Sequence, residues 1–95
     1  MSQQHQHQQD LSGLPAKPAE NWQLARQKGI PVGPMDVVGR CVVFGSGGQT
    51  TTIVAYDPKS RRVRTKSGSV YQLLTPRITC VVIERGLLQK VGFEL

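Results

Sequence analysis

The stretch TTTIVAYDPKSRRVRTKSGSVYQLL, residues 50–74, decides how the chain is read. It opens on a β-branched, apolar run that stops at Asp57-Pro58-Lys59-Ser60, where Pro58 supplies the φ near −65° that a turn requires. Residues 62–66 then alternate strictly, with Arg62, Arg64 and Lys66 on one side and Val63 and Thr65 on the other, the period of a strand. Ser67-Gly68-Ser69 interrupts the run, and residues 70–74 resume it. Upstream, VVGRCVVF (37–44) reads as another strand, closed by the loop Gly45-Ser46-Gly47-Gly48. Downstream, Thr75-Pro76 precedes ITCVVIE (78–84), and Leu87, Val91, Phe93 and Leu95 fall on one face of an expected last strand. No gap between these runs holds a crossover helix, so antiparallel pairing is expected. The fold class that follows is mainly β, a small antiparallel barrel or rolled sheet of five to six strands.

The N-terminal third reads differently. Residues 1–16 (MSQQHQHQQDLSGLPA) are rich in Gln and His and almost without apolar surface, so they are expected to be a disordered tail. His5 and His7 offer a divalent ion two ligands on that tail, which makes a poor site, and no metal is expected. Residues 18–28 (PAENWQLARQK) carry helix signals, with Pro18 in the first turn, Glu20 near the positive pole and Lys28-Gly29 as the stop. A helix this short must dock, and Trp22 is the anchor expected to plug one end of the barrel. IPVGPM (30–35) is an extended connector. The resulting organisation is a tail over 1–16, a short helix and connector over 17–35, and a β-domain over 36–95. Val43, Phe44, Ile53, Val54, Tyr71, Leu73, Val81 and Ile83 are the core candidates, although alternation prevents neighbours from all pointing inward.

Within residues 39–73, Val38-Gly39-Arg40-Cys41-Val42-Val43, the glycine loop, the run 51–57 and the run 63–73 resemble an SH3-like barrel of the KOW or Tudor kind. The resemblance implies a small barrel and assigns no functional residue. A Tudor-type methyl-ligand pocket needs an aromatic cage, toward which only Phe44, Tyr56 and Tyr71 are present here.

The chain is basic, with 12 Lys and Arg against 6 Asp and Glu in 95 residues, a net charge of +6. Residues 36–95 contain no histidine, and their four carboxylates (Asp36, Asp57, Glu84 and Glu94) are scattered over separate turns and strand ends, so an enzyme is not expected. Cys41 and Cys80 sit within apolar runs and read as inert buried thiols of a reducing compartment. The glycine loop lacks the Lys and Ser/Thr of a phosphate-binding loop. Neither a membrane-spanning run nor a secretory signal is evident, and the expected setting is cytoplasmic, without cofactor.

One concentrated signal remains. Lys59, Arg61, Arg62, Arg64 and Lys66 lie within eight residues, and Tyr71 is close enough in the chain to supply a stacking face. This predicts a non-enzymatic module contacting nucleic-acid phosphates through a basic hairpin over 59–66. The alternative is a protein-interaction adaptor, inhibitor or immunity-type subunit, docking an acidic protein surface on the same ridge or a strand on an open edge. Charge on an exposed strand also discourages self-pairing, and a monomer or a weak homodimer through residues 87–95 is expected.

Overall fold

The computed structural model describes residues 7–95. Its strands and helices are β1 (Lys17–Ala19), β2 (Gln23–Arg26), β3 (Arg40–Val43), β4 (Ile53–Asp57), β5 (Arg62–Thr65), β6 (Val70–Leu73), α1 (Ile78–Ile83) and α2 (Arg85–Lys90). The alternating stretch forms an antiparallel meander, β4 to β5 to β6. The first turn is held by the Asp57 carboxylate, which accepts from the Lys59 amide at 3.0 Å and the Ser60 hydroxyl at 2.8 Å. The second turn contains Gly68 at φ +95°, where a side chain would be strained.

The fold is mainly β, but among the described residues the strands form two open sheets and no closed barrel. Four strands are ordered β1-β6-β5-β4, and β2 pairs with β3 separately. Pairing is also not wholly antiparallel, because β1 runs parallel to β6. The connection that permits this is most of the chain between them, longer than any single gap considered from sequence.

Residues 18–28 do not form a helix. Asn21 sits at φ +50° between β1 and β2, and its amide donates to the Thr75 carbonyl at 2.7 Å. The Leu74 amide donates to Ala19 at 2.9 Å and the Arg77 amide to Trp22 at 2.8 Å, so pairing with distant chain displaces the local helix that propensity favours. Trp22 is fully buried, its ring 5.6 Å from that of Phe93, and its Nε1 donates to the Leu74 carbonyl at 3.2 Å.

Residues 7–16 also depart from expectation. The Tyr56 amide donates to His7 at 2.9 Å and the Gln9 amide to Tyr56 at 3.1 Å, which adds this segment parallel to the free edge of β4. The chain then crosses the outer face of the four-stranded sheet to enter β1 at the opposite edge, forming a strap with Leu11 buried at its centre. Backbone hydrogen bonding orders a segment whose apolar content is too small to do so. His5, like the rest of residues 1–6, lies outside the described residues.

ITCVVIE folds as a helix and not as a strand. Arg77, whose amide is held by the Trp22 carbonyl, accepts from the amides of Cys80 and Val81, and Cys80 in turn accepts from Glu84, so the backbone groups close locally. Residues 85–90 form a second helix, which buries Leu87 and Leu88 instead of offering a terminal strand. It ends at Gly92, φ +108°, where a Cβ would lie 2.0 Å from the Pro58 carbonyl oxygen, so only glycine lets α2 abut the β4–β5 turn.

The core unites Trp22, Leu24, Val37, Val42, Ile53, Val63, Leu73, Leu88 and Val91. Of the core candidates, Ile53 and Leu73 are buried, and Val43, Phe44, Val54, Tyr71 and Val81 are half-buried. Ile83 is 78% exposed, because the helix turns it to solvent.

Candidate functional site

The basic residues singled out from sequence occupy the β4–β5 turn and β5, and most are engaged within the protein. Arg62 Nη1 donates to three strap carbonyls, those of Leu11 at 3.0 Å, Ser12 at 3.0 Å and Leu14 at 2.8 Å, while its Nε donates to Gln72 Oε1 at 2.6 Å. Arg64 donates to Gln9 Oε1 at 2.9 Å. Arg61, at φ +56°, places its guanidinium 5.4 Å from the centre of the Phe93 ring. Lys59 and Lys66 are exposed, and no side-chain partner holds either among the described residues.

Tyr71 is on the other side of the sheet. It pairs directly with Val63, while Arg62 pairs with Gln72 and Arg64 with Val70, so period two sends Tyr71 inward and both arginines outward. Its ring rests 5.6 Å from that of Phe44, under Lys17 Nζ at 5.9 Å. Tyr56, the third aromatic considered, is buried. The ridge and its stacking residue therefore do not share a face.

A second concave region lies between β2 and α1. It has a volume of about 320 Å³, and its walls include Arg26, Arg40, Thr79, Cys80, Ile83 and Glu84. The β2 backbone facing it is open. Across the ladder, Val42 uses its amide on the Thr50 hydroxyl at 3.0 Å and its carbonyl on the Thr50 amide at 2.9 Å, both away from β2. Leu24, paired with Val42, and Arg26, two residues on, consequently turn their backbone groups away from β3. The Leu24 amide meets the Cys80 sulfur. The Leu24 carbonyl and both backbone groups of Arg26 meet no partner among the described residues.

Arg40 is a charge inside a buried strand, 2% exposed. Its Nε donates to Asp36 O at 2.6 Å and its Nη2 to Gly33 O at 3.0 Å, which fixes the guanidinium against the 33–36 turn. Nη1 lies 3.6 Å from Glu84 Oε2, an ion pair too long for a hydrogen bond. Arg40 and Glu84 both line the cavity. Burial pushes the Cys80 thiol up from its ordinary value, and the Glu84 carboxylate adds to the rise while the Leu24 amide opposes it. Burial likewise raises Cys41. Neither thiol is activated as a nucleophile.

Above the cavity, α1 turns Ile78, Val82 and Ile83 to solvent at 79%, 76% and 78% exposure. The one sequence signal for this region was Arg40, a charge set inside the apolar run VVGRCVVF. Arg26, Glu84 and the exposed apolar residues gave none, because their significance depends on α1 being a helix. Among the described residues no three His, Cys, Asp or Glu side chains are grouped to hold a metal ion, and no helix is long and apolar enough to cross a membrane. No family model, curated protein or solved structure matches the chain.

Proposed function

We propose that this protein is a non-enzymatic binding module that takes a short extended polypeptide segment as an added strand on β2, in the groove against α1. The observation that carries the reading is the set of outward backbone groups without a partner among the described residues, the Leu24 carbonyl and both groups of Arg26. An open strand edge is a template for another chain, and main-chain hydrogen bonds supply the affinity of such additions. Ile83 lines the groove along that edge, and Ile78 and Val82 are exposed on the same helix, so α1 offers apolar area to the same segment. The arginines lining the groove favour an acidic partner, as expected of an adaptor or inhibitor. Three of the four carboxylates in 36–95 serve the fold: Asp36 caps the Gly33 amide at 2.7 Å, Asp57 holds a turn and the strap, and Glu84 pairs with Arg40.

The test is an amide NMR titration with a pool of C-terminally amidated hexapeptides, acidic at the first four positions and Val, Ile or Leu at the last two. Shifts confined to β2 and α1 support the reading, and shifts elsewhere or none overturn it.

A nucleic-acid partner is favoured by one separate feature, the Phe44–Tyr71 pair beneath Lys17 in a chain of net charge +6. A single-stranded oligonucleotide at physiological salt would then shift Lys17, Phe44 and Tyr71. Lys59 and Lys66 would add phosphate contacts, whereas Arg62 and Arg64 would first have to release the strap.

A further inference from the structure

The register of β2 and β3 sets Arg26 directly opposite Arg40. Opposed residues share a face of the ladder, and like charges in that position repel. The arrangement persists with a single carboxylate in the cavity, that of Glu84, at 3.6 Å from Arg40 and 29% exposed. Arg26 spends Nη1 on the Val32 carbonyl at 2.8 Å, and Arg40 Nη1 makes no hydrogen bond among the described residues. Two guanidinium groups therefore border one cavity with one distant counter-charge, next to the backbone groups on which a strand would add.

We propose that the Arg26–Arg40 pair is the specificity-determining element of the β2 groove, receiving the side-chain carboxylate of an aspartate or glutamate on the added strand, with Glu84 as the internal carboxylate that it displaces. The inference rests on the strand-addition reading and names what that strand must carry. A side chain, and not a chain terminus, is specified by geometry. Residues of an added strand project their side chains perpendicular to the sheet, and one of its two faces is the one that carries Arg26, Leu24, Arg40 and Val42. A terminal carboxylate would lie along the strand instead. Arg40 is well suited to this role because its guanidinium is already held by Asp36 and Gly33, so little freedom is lost when the carboxylate arrives.

The experiment compares the amidated acidic pool with a matched pool in which Gln and Asn replace Glu and Asp, by fluorescence anisotropy at fixed salt. The wild-type protein should prefer the acidic pool by about tenfold or more, the scale of a charge-assisted hydrogen bond. Arg26→Gln, an exposed position whose loss leaves the core intact, should erase most of that preference. Glu84→Gln should enlarge it by removing the competitor. Equal binding of the two pools overturns the carboxylate inference and leaves strand addition standing. Failure of both pools to bind overturns strand addition and this inference with it. A preference unchanged in both variants also overturns the assignment.

Discussion

The strap over residues 7–16 and helix α1 are both short segments at the rim of the molecule, and they are built on opposite principles. The strap carries a single buried apolar residue, Leu11 at 1% exposure, yet it is tied down by Asp57, Arg62 and Arg64 and by backbone bonds to Tyr56. Helix α1 is almost wholly apolar, yet Cys80 is its one buried residue and Ile78, Val82 and Ile83 face water. Order in the strap comes from satisfied polar groups converging on one point, which apolar content does not measure. Exposure in α1 leaves an apolar surface whose burial the other described residues do not provide.

Substitutions should separate the two regions cleanly. Leu11→Ala should cost about 3 kcal/mol in urea denaturation, as for other fully buried leucines, whereas Val82→Ala should cost almost nothing. Equal costs would erase the contrast. Next in size, Arg62→Met removes a charged donor shared among three strap carbonyls and should cost about 2 kcal/mol. Hydrogen exchange should show that loss at the strap amides before the sheet opens, and uniform acceleration throughout the sheet would argue that Arg62 braces the meander instead.

Acid should loosen the strap by a smaller amount. Burial opposes ionisation of Asp57, but the Leu11 amide, the Ser60 hydroxyl and the amides of Lys59 and Ser60 outweigh it and hold the carboxyl below its ordinary value. A depressed folded-state pKa contributes stability that is present above the unfolded value, about 3.9, and is lost as pH falls through the folded one. Strap protection should therefore decline below about pH 4, and Asp57→Asn should remove the larger part of that decline, the rest belonging to Asp10, which the Ser12 hydroxyl and amide hold below its ordinary value. The smallest effect is expected from Val82→Thr combined with Ile83→Gln, within about 0.5 kcal/mol of wild type. A large loss of stability from that pair would mean that α1 packs more closely than its exposure indicates.

Strands β3 to β6 were legible because alternation and turn chemistry agree there. Val63 and Thr65 do face inward, and the turns at Asp57 and Gly68 fall where those residues require. The segments that misled are those whose structure is decided by distant chain. Residues 18–28 hold every local helix signal, but Ala19, Asn21 and Trp22 are claimed by Leu74, Thr75 and Arg77. Residues 78–83 are β-branched, but Arg77, held at Trp22, accepts from Cys80 and Val81 and starts a helix there. In the candidate site, the basic residues of β5 were visible as a ridge. Their use as internal donors was not, because the strap that accepts from them reads as solvent-exposed polar chain. Arg40 reads as part of an apolar strand, and its one signal, a charge inside that run, was not used.

The edge-to-edge course of the strap also has a consequence for how the chain acquires its structure in time. Lys17 pairs with Tyr71, 54 positions later (71 − 17), and the Gln9 amide finds its partner at Tyr56. The local meander β4–β5–β6 requires closure of short loops alone, whereas both flanking edges wait on long ones, which are slow to close. A nascent chain ending short of residue 70 has no β6 for β1 to join, although β1 was made first. The strap and β1, synthesised earliest, thus wait on chain made much later, and until then both margins of the four-stranded sheet are bare.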